Sequence, residues 1–252
     1  MKFFFNSSNT AKALQAKNRF IKKYGQYECK DADIIVPIGG DGFLLKNLHK
    51  FNELKVPFFG INYGSIGFLM NEEKNENLEN IINSAQELSL KALEMKAEDT
   101  NDQIFTSIAY NEVSLMRQTH QAAKINIEIN EIQRIEELIC DGILVSTPAG
   151  STAYNLSAHG SIIPLDSNLL TLTPISAFRP RRWRGAILNE ENKINFKVIN
   201  FDNRPVSVTA DNTEFRNIKN VKIYSSKNNS CKLLFDNNHS IEERILKEQF
   251  YS

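Results

Sequence analysis

The apolar run Ile34-Ile35-Val36-Pro37-Ile38 breaks off at Gly39-Gly40-Asp41-Gly42. A run of that length buries as one strand, and Leu44 and Leu48, one turn apart, open a helix directly behind it. Strand, turn almost without side chains, and helix N-terminus together predict a parallel α/β unit. Pro37 lacks a ladder donor and is expected near the strand's end. Glycines admit backbone N–H groups to within reach of a ligand, and a helix N-terminus favours an anion. Gly39, Gly40 and Gly42 therefore form a candidate phosphate loop. Asp41 is out of place in such a loop unless it holds a cation or accepts a proton, which points to phosphoryl transfer. Taken alone, the same four residues also make an ordinary tight turn.

The flanking sequence continues the alternation. Lys2–Phe5 reads as a short strand, and Asn9 as the cap of a helix that buries Ala13, Leu14, Lys17, Phe20, Ile21 and Tyr24 before Gly25 stops it. Val56–Ile61 reads as another buried strand, followed by Asn62-Tyr63-Gly64-Ser65-Ile66-Gly67-Phe68-Leu69. A polar helix is expected over Asn75–Leu88. Strand and helix in alternation make a parallel sheet with crossovers.

Near Leu88 the period changes to two. Ser89–Lys96 alternates loosely, Ile104–Leu115 reads as a strand or strand pair, and Lys124–Asn130 alternates without fault. Short strands follow at Gly142–Ser146, Leu169–Thr173, Ile194–Phe201, Val206–Thr209, Val221–Ser225 and Lys232–Phe235, so the second half is expected to be all-β. Helical spacing returns over Ile241–Phe250. The expected division is a first domain over 1–88 with a C-terminal helix at 238–252, and a β-rich second domain over 89–237.

Thirty basic and thirty acidic residues cancel, which leaves no global field for nucleic acid or an anionic membrane. Cys29, Cys140 and Cys231 lie far apart, arguing against a disulfide framework or zinc site and for a reducing cytosol. Met1–Phe5 turns polar too early for a signal-peptide core, and no apolar run reaches a membrane span. A soluble cytoplasmic protein is expected.

The most informative stretch runs from Asp141-Gly142 through Ser146-Thr147-Pro148-Ala149-Gly150-Ser151-Thr152-Ala153-Tyr154-Asn155-Leu156-Ser157. A strand ends in small residues that permit close backbone approach. Ser151 and Thr152 offer hydroxyls to phosphate or ribose, and Tyr154 a ring for a base. The plain alternative is a Ser/Thr-rich turn that caps a short helix over Ala153–Ala158. Asn111-Glu112 places two acceptors at a strand end, suited to a ribose diol or simply to a solvated edge.

The Gly-Gly-Asp-Gly turn, the Asn-x-Gly-x-x-Gly-Phe-Leu segment at 62–69, Asn-Glu at 111–112 and the 141–155 signature occur in that order. Over about 34–211 the chain resembles the NAD kinase family. The resemblance implies an N-terminal α/β nucleotide domain followed by a β-sandwich-like domain. It implies transfer of the γ-phosphoryl of ATP, or of polyphosphate in some members, to the 2′-hydroxyl of the adenosine ribose of NAD. Mg²⁺ or another divalent cation would accompany ATP, and the chain would form a homodimer or homotetramer. Asp41 matches the aspartate taken as proton acceptor, with Gly42 beside it. Asn111 and Glu112 match the pair near the adenosine ribose. Asp141, Ala149 and the run Thr152, Ala153, Tyr154, Asn155, Leu156 and Ser157 match the rest of the NAD site. Asp211 matches a late aspartate and brings Asn212 near the ligand. No protein metal site is implied, and His49, His120 and His239 have no assigned chemistry.

Three features depart from that pattern. Ile139 stands where a basic residue is usual, and His159-Gly160 where Gly-Gly is usual, which bears on φ in the turn. Arg179-Pro180-Arg181-Arg182-Trp183-Arg184 is unusually basic, read as a solvated loop or as a second phosphate contact or subunit interface. Lipid and sugar kinases also carry Gly-Gly-Asp-Gly but lack the 146–154 signature. A non-catalytic dinucleotide sensor is the remaining alternative.

Overall fold

The computed structural model describes residues 1–64, 67–74 and 76–237; the expected C-terminal helix at 238–252 and His239 lie outside them. The chain divides into two compact units. One is Met1–Leu90 with the chain returning from Ser230; the other is Lys91–Asn229.

In the first unit β1 (Phe3–Ser7), α1 (Ala11–Tyr24), β2 (Ile34–Gly39), α2 (Asp41–Phe51), β3 (Ile61–Asn62) and α3 (Leu78–Asn83) follow in order. The strands form a parallel sheet, β1-β2-β3. Thr10 rather than Asn9 caps α1, through its hydroxyl and the amide of Ala13 at 3.4 Å. Gly25 ends it at φ 80°, a conformation that costs glycine nothing. The buried face is Ala13, Ala16 and Phe20, with Phe20 stacked on Phe5 at 5.6 Å. Leu14 points outward instead, 44% exposed, because position 14 lies a quarter-turn off that stripe.

Pro37 sits inside β2, not near its end. Its missing donor falls where the ladder on the β3 side is already interrupted, between the isolated Ile35–Phe58 bridge and the Ile38–Ile61 pair. The ring therefore breaks no regular pairing. For the same reason the 56–61 run is a strand only at Ile61. The expected 75–88 helix shrinks to α3: Asn77 caps it through the amide of Glu79, and the chain is already extended at Gln86.

The second unit is built from β4 (Gln86–Asp99) from Lys91 onward, β5 (Ile104–Ala109), β6 (Glu112–Arg117), β7 (Ala123–Ile129), β8 (Ile132–Cys140), β9 (Gly142–Ser146), α4 (Tyr154–Ser157), β10 (Leu169–Ile175), β11 (Ala186–Asn189), β12 (Ile194–Val198), β13 (Val206–Ala210), β14 (Thr213–Phe215) and β15 (Ile218–Phe235) as far as Asn229. Two six-stranded sheets result, β5-β4-β15-β12-β7-β8 and β11-β10-β9-β6-β13-β14. Ile125, Ile127, Phe196 and Val221 from the first share one core with Val113, Val145, Leu172 and Val208 from the second. This is a β-sandwich, as expected.

Two strand readings change. Val221–Ser225 and Lys232–Phe235 are parts of one strand, β15. Ile104–Leu115 splits between the two sheets, with Tyr110-Asn111 at the crossing, and that crossing brings the Asn-Glu pair to a strand start. β8 escapes pattern reading because its turn, Asn130-Glu131, takes positive φ at both residues (53° and 66°) without a glycine. As an edge strand it also buries only Leu138 and Cys140.

Candidate active site

In the first unit the glycine turn has the expected form. β2 ends at Gly39, Gly40 is the N-cap of α2, and the helix begins at Asp41. A Cβ on Gly39 would press on the Phe43 ring at 3.0 Å, whereas one on Gly42 would meet nothing within 4 Å. Gly39 thus serves packing, and Gly42 leaves the helix start open. Asp41 is half-buried and held from a distance in sequence: its Oδ2 accepts from the amide of Phe68 at 2.7 Å and Oδ1 from that of Leu69 at 3.2 Å. Asn62 steadies the same segment by accepting from the Gly64 amide at 2.9 Å. A carboxylate fixed this way at a helix N-terminus presents its oxygens in one orientation.

In the second unit three separate segments meet around Asn111-Glu112. Asp211, in the β13–β14 turn at φ 51°, accepts three successive backbone amides: Tyr110 at 2.7 Å, Asn111 at 2.9 Å and Glu112 at 3.2 Å. Thr147 Oγ1 donates to the Tyr110 carbonyl at 2.6 Å and accepts from the Gly150 amide at 3.1 Å. Gly150 lies directly on the Asn111 carbonyl, where any Cβ would collide. Ala149–Thr152 form a 3₁₀ turn followed by α4 at Tyr154–Ser157, within the short helix expected over Ala153–Ala158.

Asn111 and Glu112 are thereby fixed, yet not satisfied. Asn111 Oδ1 and Glu112 Oε2 are buried with no hydrogen-bond partner. Burial, and next the nearby charge of Asp211, push the Glu112 carboxyl up to about 7, with the Tyr154 amide opposing. Asn126, Asn195 and Asn220 also each bury an Oδ1 without a partner, so what sets Asn111 and Glu112 apart is their place next to the 147–155 segment. These two belong to consecutive residues on a backbone held by Asp211, and a ribose diol would supply two donors.

The other expected residues have distinct surroundings. Asp141 pairs with Arg117, Nε to Oδ1 at 2.5 Å, both about one-third exposed. The Tyr154 hydroxyl lies 3.4 Å from Met116 Sδ, and burial raises its pKa, as do the charges of Glu112 and Asp141. Asn155 is fully buried: its Nδ2 donates to the carbonyls of Ser151 and Ser161, and its Oδ1 accepts from Thr171 and Thr173. Its side chain holds the loop together. Leu156 and Thr152 are half-buried, while Ser157 and Asn212 are exposed. His159 takes φ 62°, so the turn keeps the left-handed backbone a glycine would adopt. Gly160 has no such latitude, since a Cβ there would strike Asn155. Sequence reading missed Arg117, Thr147 and the Phe68-Leu69 amides. Each acts through a partner distant in sequence, and two of the three use backbone or a common hydroxyl.

A carboxylate set at the start of a helix behind a glycine turn, in a chain that also buries paired unmet acceptors, defines a nucleotide-directed phosphotransferase. Models of the ATP-NAD kinase N-terminal domain and of the ATP-NAD kinase C-terminal domain match residues 5–87 and 110–242. The chain is 50% identical over 243 residues to an NAD kinase of Rickettsia rickettsii (strain Sheila Smith), covering 96% of this chain and 95% of that one. It is 52% identical over 229 residues to one of Rickettsia bellii, covering 91% and 90%. Among solved structures, its fold is similar to yeast NADH kinase complexed with NADH (TM-score 0.81, 18% identity, 100% and 88% covered) and to an NAD kinase from Archaeoglobus fulgidus in complex with ATP (TM-score 0.77, 21% identity, 98% of each covered). The chain belongs to the NAD kinase family.

Proposed function

We propose that this protein phosphorylates NAD to NADP, moving the γ-phosphoryl of ATP to the 2′-hydroxyl of the adenosine ribose. The observation that carries this reading is that Asn111 and Glu112, consecutive residues, each bury an acceptor without a partner, where a ribose diol would supply donors. Family membership supports NAD and ATP as the ligands. Asp41 is the proton acceptor. A ribose hydroxyl is far less acidic than a carboxylic acid (unperturbed aspartate is near ~3.9), so Asp41 takes the proton late, as the P–O bond forms. Catalysis in such loose transition states is mainly positioning and charge neutralisation. Gly39, Gly40 and Gly42 receive phosphate, and Asp141, Ala149, Thr152, Ala153, Tyr154, Leu156 and Ser157 line the dinucleotide in the second unit. Asn155, Asp211 and Asn212 complete that side, the first two by holding backbone.

Among the described residues no three His, Cys, Asp or Glu side chains group to hold a metal. Mg²⁺ would be held mainly by the triphosphate, with Asp41 as at most one carboxylate contact. Bound there, the cation would neutralise charge on the transferred group. Among the described residues no helix is long and apolar enough to cross a membrane; a cytoplasmic homodimer or homotetramer completes the proposal. NADP formation from NAD, ATP and Mg²⁺, followed in a coupled assay with polyphosphate in parallel, tests it. Turnover with ATP is expected. Tight NAD binding without product would mean a sensor instead.

A further inference from the structure

Arg179, Arg181, Arg182 and Arg184 lie in one six-residue stretch, 179–184, that follows β10, all exposed. Arg19, Arg117 and Arg216 each face a carboxylate; among the described residues no carboxylate pairs with any of these four. Instead two of them share one ring. The guanidinium carbons of Arg179 and Arg181 sit 5.6 and 6.0 Å from the centroid of Phe178, itself 56% exposed. Arg179, Pro180 and Arg181 line an open hollow of about 460 Å³.

The backbone beneath is anchored at both ends. Phe178 donates to the Ile139 carbonyl at 2.7 Å, Ile139 to that of Arg179 at 2.8 Å, and Asp141 to that of Ile175 at 3.0 Å. Trp183 packs against the sandwich core. So the loop is fixed while its guanidinium groups point outward. Four like charges this close repel, and among the described residues no carboxylate pairs with them. Planar guanidinium forks match phosphate oxygens two at a time, and stacking on an aromatic ring pre-orients the forks. The hollow suits a short chain of phosphoryl groups better than a duplex, and the net charge of zero gives no wider field for nucleic acid.

We propose that the Phe178–Arg184 loop is a binding site for a condensed phosphate chain, such as a nucleoside triphosphate or free oligophosphate supplies. It also offers cationic groups beside Ile139, a position that has none of its own.

Inorganic tripolyphosphate, titrated calorimetrically into the full chain at low ionic strength, is the probe. Wild type is expected to bind it at least tenfold more tightly than orthophosphate, with affinity falling as salt rises. In the R179Q/R181Q double variant the dissociation constant should rise tenfold or more, whereas R134Q, which removes a lone exposed arginine, should leave it unchanged. Displacement by ATP at equal potency would identify a nucleotide's phosphates as the occupant, and failure of ATP to compete would identify free oligophosphate; either supports the site. Wild type that ignores tripolyphosphate, or a folded R179Q/R181Q protein (by circular dichroism) that binds it as wild type does, overturns the proposal. Asp41→Asn, expected to lose NADP formation, should still bind the probe, so this site and the kinase reading fail separately.

Discussion

Asp41 and Glu112, one carboxylate in each unit, stand in opposite hydrogen-bond states. Both oxygens of Asp41 receive backbone amides, from Phe68 and Leu69. Glu112 has an oxygen buried without any donor, as has the preceding residue, Asn111, at its Oδ1. The first arrangement is complete in the protein alone and keeps an acceptor aimed. The second costs about 1–3 kcal/mol for each unmet group, recovered only when a ligand brings donors. A proton acceptor needs a constant orientation, whereas a binding site gains affinity from acceptors left unmet. The two states therefore separate chemistry from recognition, and each can be broken independently.

The largest effect belongs to Asp41. Asp41→Asn keeps shape and can still accept an amide, but cannot take up the hydroxyl proton. NADP formation should fall roughly 10²-fold or more while the dissociation constant for NAD stays near wild type. Normal turnover in that variant would remove Asp41 from the chemistry.

Next comes the support under Glu112. Asp211→Ala strands three amides at once, and should lower stability by about 3 kcal/mol, read as a drop in denaturation midpoint. NAD binding should weaken about tenfold as Asn111 and Glu112 lose their fixed backbone. Asp211→Asn, which keeps one acceptor oxygen, should fall between. If Asp211→Ala weakened NAD with no loss of stability, Asp211 would be a direct ligand contact instead.

How far these roles are legible in sequence follows from where their partners lie. The glycine turn, its strand and its helix are local, and the sequence places them to within about two residues, the helix starting at Asp41 rather than behind Gly42. The change of period near Leu88 likewise marks the change from α/β to sandwich. The work of Asp211 is not legible, because its partners lie some hundred positions away and are backbone amides, which every residue has. Asn155 has the appearance of a ligand residue in the motif, yet it is buried and fully bonded to Thr171, Thr173 and two carbonyls. His159 shows a backbone demand outlasting the residue that meets it most cheaply: φ stays at 62° without glycine. β8 was hidden by a glycine-free turn and one-sided polarity.

A smaller effect is the pH dependence of Glu112. Its carboxyl titrates at about 7 in the fold against 4.5 in the unfolded chain, so the folded state holds the extra proton between those values. The Glu112 contribution to the stability of the ligand-free protein is therefore full below about 4.5 and is lost as pH rises through 7, on the order of 2 kcal/mol after allowance for solvent screening. NAD affinity should move the other way, since ribose hydroxyls donate better to the ionised carboxylate. Denaturation midpoints and NAD titrations across pH 5–8 check both slopes. Glu112→Gln should flatten them; slopes that persist in that variant would place the titrating group elsewhere.

Asp141 supplies the smallest effect and the sharpest check on the contrast, because its carboxylate is neither fully satisfied by backbone nor buried bare. It pairs with Arg117 at 2.5 Å with about a third of each side chain exposed, and exposed pairs contribute at most about 1 kcal/mol. Arg117→Met, which keeps the apolar stem, should cost less than about 1 kcal/mol, and the cost should shrink further at high salt. The same change leaves a half-exposed carboxylate free to be hydrated, so NAD affinity should shift by less than about threefold, a fraction of the Asp211→Ala effect. A loss of several-fold more would mean that Asp141 must be held in place as firmly as Glu112, and that the pair belongs to recognition rather than to the surface.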